Sequence, residues 1–249
     1  MTAGAGSDAV GLAGPACDLL VFSPHPDDAE IHCGATIAAH VRQGARVAVV
    51  DATRGEMSSR GTPDERAREA AAAADVLGVA VRENLGLRDG HLVGDDLAAR
   101  AAVVAAIRRH RPKTVLCIAG HARHGDHMAL NALVAPAAKS AALHKFPVPG
   151  AAVPGVRLWF YEADLPLPAP NLLVPATEAD WQRKKAAVLC YASQLFQPGV
   201  QGPATTIATP AFITWIEARG RAWGMQAGAD YAEAFAGPEA PRIGDLRAV

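Results

Sequence analysis

The sequence predicts an α/β fold in which helices cover both faces of a mostly parallel, doubly wound sheet. Short apolar runs of strand length alternate with helical patterns through the first 145 residues, which is typical of such sheets. Half of the residues are hydrophobic and only 5% are aromatic, a composition that suits alanine-rich helices packed on a sheet. The Pro- and Gly-rich stretch 146–155 is interpreted as a connector, so we predict a single domain.

Each element follows from its own local pattern. Apolar runs bounded by polar turns predict strands at 19–22, 46–51, 79–85, 114–119 and 157–163, and a short edge strand at 171–174. Helical spacing of apolar residues predicts helices at 31–41, 64–77, 95–110, 127–144, 178–195 and 210–228. Pro63 and Gly78 fit the start and the end of the second helix, and Arg111-Pro112 stops the third.

Composition narrows the class of protein. Residues 1–16 are predicted to form a flexible tail without the features of a signal peptide, and 17–249 to form the domain. The net charge of −1 and the scattered Lys and Arg argue against nucleic acid or a membrane surface as a partner. No apolar run reaches the roughly 20 residues of a membrane span. The cysteines are widely spaced, so we predict free thiols, with Cys117 and Cys190 buried, and a cytoplasmic protein.

A first cluster of reactive side chains, His25-Pro26-Asp27-Asp28-Ala29-Glu30, directly follows the first predicted strand. In an open α/β sheet, the turns at the carboxyl ends of strands line the ligand crevice. An imidazole and two carboxylates within four residues are costly to crowd together unless a positive charge lies among them, and a divalent cation would supply it. The alternative is an Asp-rich turn that only caps the following helix.

A second cluster, His121-Ala122-Arg123-His124-Gly125-Asp126-His127, follows the fourth predicted strand and opens a helix. Both loops emerge at the same edge of a parallel sheet, so they can face one another. His25, Asp28 and His127 then offer two imidazoles and one carboxylate. Three protein ligands with an open fourth position are typical of catalytic zinc. The same donors would also hold iron(II), cobalt or manganese.

The neighbours of these ligands offer groups for catalysis. Asp27 can accept a proton from water as a general base. His124 can stabilise a tetrahedral oxyanion or protonate a departing amine, and Asp126 can hold that imidazole in the right tautomer. The alternative is that His121 and His124 are surface residues and that Asp126 only caps the helix. Together the two clusters predict metal-dependent hydrolysis.

These motifs resemble those of the LmbE-like (PIG-L) family of zinc-dependent N-acetylglucosaminyl deacetylases. The resemblance rests on residues 24–30 and 124–127, with further matches at 53–56, 59–62, 82–87 and 191–194 that are closest to the deacetylases of bacillithiol biosynthesis. It implies a Rossmann-like sheet, a homo-oligomer and one zinc ion held by His25, Asp28 and His127. It also implies the roles of Asp27, His124 and Asp126 given above, and substrate contacts from Arg60, Asp89 and Glu56.

The chain departs from the family pattern at two places. Gly125 stands where the family usually has Pro, which loosens the turn that aims His124. His32-Cys33 stands where small residues and a Gly-Gly pair are usual, which changes the local packing. Both residues should lie on the helix that leaves the turn, so we do not expect them to bind the metal.

The resemblance predicts hydrolysis of the N-acetyl group of an N-acetylglucosamine derivative, with N-acetylglucosaminyl malate as the expected substrate. One alternative keeps the site and changes the substrate, as in an amidase of thiol-sugar S-conjugates or a deacetylase of another glycosylated metabolite. An alternative of another class is a non-catalytic sugar-binding module. Against the last, the positions of the catalytic Asp27 and His124 are filled.

Overall fold

The structure is a computed structural model that describes residues 15–238. The predicted tail 1–16 lies outside the described residues except for its last two positions, as does the end of the predicted domain. The strands are β1 Leu19–Ser23, β2 Val47–Thr53, β3 Val81–Leu87, β4 Thr114–Ile118, β5 Arg157–Tyr161, β6 Leu172–Ala176 and β7 Tyr231–Ala236. The helices are α1 Asp28–Arg42, α2 Pro63–Leu77, α3 Leu97–His110, α4 Gly125–Ala141, α5 Glu178–Leu189 and α6 Phe212–Ala227.

The sheet has seven strands in the order β3-β2-β1-β4-β5-β7-β6. The five strands from β3 to β5 are parallel, whereas β7 runs antiparallel to both of its neighbours. The mostly parallel α/β fold is therefore confirmed, and β6 is an edge strand as predicted. The chain moves outward from β1 to β3, then returns to add β4 beside β1. This reversal makes the loops after β1 and β4 neighbours at a topological switch point.

Helices pack on both faces because right-handed crossovers put them there. The β1-α1-β2 and β2-α2-β3 units advance in one direction, so α1 and α2 share a face, which α5 joins. After the reversal, α3 and α4 pack together on the other face. Every residue of β1 and β2 is buried, which explains their nearly continuous apolar sequences. Among the described residues, no helix is long and apolar enough to cross a membrane.

Three sequence predictions differ from the structure. Strand β7 was not predicted; its Ala-rich sequence becomes a strand because it fills the gap between β5 and β6. Helix α5 ends at Leu189 instead of 195, because the following turn is held elsewhere: Gln194 donates to the carbonyl of Arg60 and accepts from Ser58. Cys190, predicted to be buried, is only half-buried at the end of α5, and all four thiols are free.

Glu30, the last acidic residue of the first cluster, has a structural partner. Its carboxylate pairs with the guanidinium of Arg82 on β3. Arg82 also binds Asp51 on β2 through two bonds, Nε–Oδ2 at 2.9 Å and Nη2–Oδ1 at 3.0 Å. All of these groups are largely removed from solvent. The network therefore joins α1 to β2 and β3 beneath the loop that carries His25.

A second ion pair joins α1 to α5 and makes stability depend on pH. Arg42 donates to Asp180 at 2.9 and 2.8 Å, and Asp180 also completes a capping box with Thr177. The bonds from Arg42 and Thr177 lower the pKa of Asp180 to about 2. The ionised carboxylate thus adds stability above its ordinary pKa of about 4, and this contribution is lost as the pH falls toward 2.

We therefore expect Asp180→Asn to lower the urea midpoint of unfolding near neutral pH, and this deficit to shrink as the pH falls below about 4. Urea titrations of both proteins across this pH range measure the difference. The exposed residue Asp75 on α2 offers the control variant Asp75→Asn, which should show no such trend. A deficit that is constant at every pH would contradict the assignment.

Candidate active site

Four loops meet at the carboxyl ends of β1 to β4. The loop after β1 carries His25, the loop after β2 carries Glu56, the loop after β3 carries Asp89, and the start of α4 after β4 carries Asp126 and His127. Hydrogen bonds and close contacts between side chains and backbone tie these loops together. The switch point of the sheet is thus also where most of the sequence-predicted site residues converge.

The structure brings together the three residues predicted as metal ligands. Nδ1 of His25 lies 3.1 Å from Oδ2 of Asp28, and Nε2 of His127 lies 3.4 Å from the same oxygen. All three side chains are buried. Two donors that bind one zinc ion at about 2.0–2.2 Å can be no more than about 4.4 Å apart, so these separations are compatible with a shared cation.

The electrostatics of the cluster call for positive charge. Burial alone would lower the pKa of His25, but the carboxylates of Asp126, Asp28 and Asp89 raise it well above its usual value. Burial would raise the pKa of Asp28, yet His127 and His25 hold it well below the usual range. The carboxylates around these imidazoles therefore favour positive charge at this position. A divalent cation among the same donors would satisfy the same carboxylates.

Two buried ring nitrogens, Nε2 of His25 and Nδ1 of His127, have no hydrogen-bond partner among the described residues. A second possible donor set shares His25 with the first and adds His124 and Asp126. Unpartnered nitrogens beside carboxylates suit metal coordination or a bound ligand better than a purely structural role. The residues present thus fit a divalent cation, and the His/Asp cluster is a candidate metal centre.

Asp27 lies beside this cluster in an unusual backbone conformation. Its φ of 127° and ψ of −34° place a non-glycine residue in a region that costs about 1–3 kcal/mol. Oδ2 of Asp27 is paired with Nη2 of Arg66 at 2.9 Å, and Arg66 also donates to the carbonyl of Pro26. Burial raises the pKa of Asp27 to about 7, against the opposing effect of Arg66. The strained turn thus holds the buried carboxylate of Asp27 at the N-cap position of α1.

Arg66 contacts the candidate site but was not among the residues predicted from the sequence. It is 4% exposed and lies on α2, where the other buried side chains are small or apolar: Ala70, Ala73, Ala74 and Leu77. In the sequence, Arg66 falls at helical spacing on the same face of α2 as these apolar residues, and this pattern could have indicated a buried arginine. Its guanidinium can only be buried there because Asp27 and backbone carbonyls accept its hydrogen bonds.

The contact predicted between the carboxylate of Asp126 and the ring of His124 is not formed; this is a correction. The carboxylate accepts instead from the backbone amides of Gly90 at 2.7 Å and Leu92 at 3.2 Å. The backbone amide of Asp126 donates to Nδ1 of His124 at 3.2 Å. The reason is that His124, not Asp126, is the N-cap of α4, so the Asp126 side chain points to the loop after β3.

His124 nevertheless borders the cluster. Its ring centroid is 4.8 Å from that of His25 and 5.0 Å from that of His127. His124 is exposed as a residue, but the partial desolvation of its ring, together with the neighbouring His25 and His127, lowers its pKa. Because Nδ1 accepts a hydrogen bond, a neutral His124 carries its proton on Nε2. The ring thus has a donor available on the side away from its own backbone.

The three residues predicted to contact substrate lie in different settings. Asp89 is buried, with Oδ1 3.1 Å from Nε2 of His25 and Oδ2 accepting from the amide of Met57 at 2.8 Å. Glu56 is exposed and accepts from the amide of Asp89 at 2.9 Å. Arg60 is half-buried and donates to the carbonyls of Ser193 and Pro203 at 3.3 and 3.1 Å. Asp89 therefore contacts His25 of the candidate metal centre, through the ring nitrogen that faces away from Asp28.

Two further histidines near the site, His121 and His32, lie in different environments. His121 is exposed. His32 lies on α1 with 11% of its side chain exposed and Nε2 3.8 Å from Oδ1 of Asp28, and removal from water lowers its pKa to about 3. His32 therefore packs as a neutral ring behind Asp28 and stacks near Tyr161. Its position on the helix that leaves the turn agrees with the sequence prediction.

The effect of Gly125 on the start of α4 can be tested by substituting proline, the residue that the family usually has at this position. It is the first residue of α4, where proline is well tolerated, and a Cβ there would meet nothing within 4 Å. His124 already has extended dihedrals, φ −81° and ψ 128°, which a following proline requires. We expect Gly125→Pro to raise the free energy of unfolding by about 0.4–1 kcal/mol, because it restricts the unfolded chain. Urea unfolding measures this; a destabilised variant would contradict the helix start described here.

The chain is similar in sequence and fold to known proteins. Residues 20–138 match the protein family described as PIG-L, GlcNAc-PI de-N-acetylase. The conserved protein TT1542 of Thermus thermophilus is 38% identical, with a TM-score of 0.83 over 92% of this chain and 98% of that one. The N,N'-diacetylchitobiose deacetylase of Pyrococcus horikoshii shares the fold, with 22% identity and a TM-score of 0.75 over 88% of this chain and 83% of that one.

A curated relative has a named substrate. The 1D-myo-inositol 2-acetamido-2-deoxy-alpha-D-glucopyranoside deacetylase of Rhodococcus opacus (strain B4) is 31% identical over 166 residues. The match covers 53% of this chain and 56% of that protein. The chain thus spans little more than half the length of the curated relatives it matches.

Fold and site together define a Rossmann-like α/β protein with a candidate metal centre at its switch point. The chain belongs to the PIG-L (LmbE-like) family.

Proposed function

We propose that this protein is a metal-dependent N-deacetylase that hydrolyses the acetamide of an N-acetylglucosamine derivative. The observation that carries the proposal is the convergence of His25, Asp28 and His127 from two distant loops, with the carboxylate of Asp27 beside them. The names of the family and of its curated relative support the reaction class. A sugar-binding module would not need a buried, strained carboxylate next to a metal centre.

The metal would be held by His25, Asp28 and His127, and we propose zinc. Two imidazoles and one carboxylate leave a position open, as catalytic zinc requires. A zinc ion bound there would act as a Lewis acid toward the acetyl carbonyl and bring the pKa of water at the open position to about 7.

The protein's own residues perform the proton transfers. Oδ2 of Asp27 is fixed by Arg66, whereas Oδ1 accepts no hydrogen bond from the described residues and is available for a proton. Asp27 thus takes a proton from the attacking water, and the nitrogen of the departing amine takes a proton from Asp27 or His124 as the C–N bond breaks. The Nε2–H of His124 donates to the oxygen that becomes negative in the tetrahedral intermediate. The backbone amide of Asp126 keeps His124 in that tautomer.

The aglycone distinguishes the proposed substrates. We propose N-acetylglucosaminyl malate, as the resemblance to the deacetylases of bacillithiol biosynthesis suggests, with Arg60 and Glu56 in the loop that would border it. The inositol glycoside named for the Rhodococcus relative is the second candidate. Arg60, which lies in the same loop as Glu56, supports an acidic aglycone, because a guanidinium can pair with a carboxylate.

A comparative assay tests the function. Release of acetate and of free amine is measured on N-acetylglucosaminyl malate, the inositol glycoside, free N-acetylglucosamine and a thiol-sugar S-conjugate. We expect the highest kcat/KM on the malate glycoside, and Arg60→Met to raise KM for it more than for free N-acetylglucosamine. Binding of these sugars without any acetate release would refute the deacetylase and favour the sugar-binding module.

A further inference from the structure

The second ring nitrogen of His25 faces two carboxylates. Nε2 lies 3.1 Å from Oδ1 of Asp89 and 3.4 Å from Oδ2 of Asp126. It is buried, and neither contact has the alignment of a hydrogen bond. The other nitrogen, Nδ1, faces Asp28 on the opposite side of the ring. The imidazole therefore stands between the proposed metal ligands on one side and a pair of carboxylates on the other.

The two carboxylates are themselves held in place by backbone amides. Oδ2 of Asp89 accepts from Met57 at 2.8 Å, which leaves Oδ1 toward His25. Asp126 accepts from Gly90 at 2.7 Å through Oδ2 and from Leu92 at 3.2 Å through Oδ1. The amides belong to the loops after β2 and β3, and Asp126 belongs to the start of α4 after β4, so the orientation of His25 depends on three segments besides its own loop. Neither carboxylate points freely into solvent, since both residues are buried.

We propose that Asp89 and Asp126 are positioning residues that keep the His25 proton on Nε2 and leave Nδ1 free for the metal. This inference rests on the proposed metal-dependent function. A ring nitrogen can bind a cation only when it carries no proton, so the single proton of a neutral His25 must then lie on the other nitrogen. Carboxylates that accept from the far nitrogen of a metal-bound histidine fix its tautomer and its orientation.

The substitution Asp89→Asn turns this acceptor into a donor. The amide oxygen of the introduced side chain would take the hydrogen bond from Met57, so its NH2 group would face Nε2 of His25. That arrangement favours the tautomer with the proton on Nδ1, where the metal should bind. Loss of such an outer partner commonly lowers metal affinity about 10–100-fold. Asp126→Asn is the second variant, in case Asp89→Asn does not fold.

The readout is zinc affinity, measured by competition with a chromogenic chelator, and does not involve turnover. We expect Asp89→Asn and Asp126→Asn each to weaken zinc binding about 10–100-fold. The exposed residue Asp95 lies near Asp89 in sequence, and the control Asp95→Asn removes the same charge without touching His25. It should bind zinc as the unmodified protein does.

A spectroscopic measurement tests the tautomer without any change at the two carboxylates. Two-bond 1H–15N correlation spectra of the zinc-loaded protein, with His25 assigned from a His25→Asn sample, should show a proton on Nε2 and a metal-shifted Nδ1. A proton on Nδ1, unchanged affinity in both Asn variants, or a second zinc equivalent held by Asp89 and Asp126 would each overturn the inference. An unmodified protein that binds no zinc would instead refute the proposed function, and the inference with it.

Discussion

Asp27→Asn should lower kcat by at least about 100-fold while zinc content changes little, because general acid–base catalysis typically contributes about 10²–10⁴-fold. It should also lower the urea midpoint of unfolding, because the buried guanidinium of Arg66 loses its charged partner. Asparagine has nearly the shape of aspartate and tolerates positive φ better than most residues, so it should keep the strained turn at φ 127°. It cannot accept the proton that Asp27 is proposed to take. Steady-state deacetylation, elemental analysis and urea unfolding of the same preparation provide the three measurements.

The matched control for this variant is Asp75→Asn, an exposed aspartate on α2. It should keep full turnover. An Asp27→Asn protein that turns over normally would show that another group accepts the proton. A variant that loses its zinc would show that Asp27 is a ligand and not the base.

Arg66→Met is expected to impair both stability and turnover. Removing one partner of a buried ion pair commonly costs about 3–5 kcal/mol, because the other charge is left buried without compensation. Here Asp27 would lose the guanidinium that fixes its Oδ2, and the carbonyl of Pro26 would lose a donor. We expect a lower urea midpoint, and a fall in kcat larger than any rise in KM, because the misplaced group is the proposed base.

Arg68 supplies the control for the Arg66 variant, since it lies on the same helix two residues further on and is exposed. Arg68→Met should leave both stability and kcat close to those of the unmodified protein. If Arg66→Met retained full stability and turnover, the ion pair with Asp27 would have no role in the site. Retained stability with lost turnover would mean that Arg66 positions Asp27 without stabilising the fold.

The parts of this protein that follow local rules could be predicted from the sequence. The continuous apolar runs of β1 and β2 are what strands buried on both faces require. Pro63 and Gly78 mark the ends of α2 by backbone chemistry alone. Because parallel strands end at one edge, two distant His/Asp clusters could be expected to meet, and they do. The proximity of His25, Asp28 and His127 was thus a consequence of topology.

What could not be predicted depends on contacts distant in sequence. Strand β7 has an alanine-rich sequence that only the gap between β5 and β6 makes extended. Arg66 is buried because a carboxylate and carbonyls from other loops meet it. Asp126 was expected to hold its near neighbour His124 but instead bonds the loop after β3, more than thirty residues away. The direction of the Asp126 side chain at the start of α4 determines which of these two partners it contacts.

The central claim is that one cation, held by His25, Asp28 and His127, is required for hydrolysis. It is tested most directly by measuring zinc content and acetate release on one preparation, before and after chelation and after zinc is returned, with His127→Ala in parallel. We predict about one zinc ion per chain, loss of acetate release on chelation, recovery on zinc addition, and neither bound zinc nor activity in His127→Ala. Full acetate release from a metal-free protein would contradict the account.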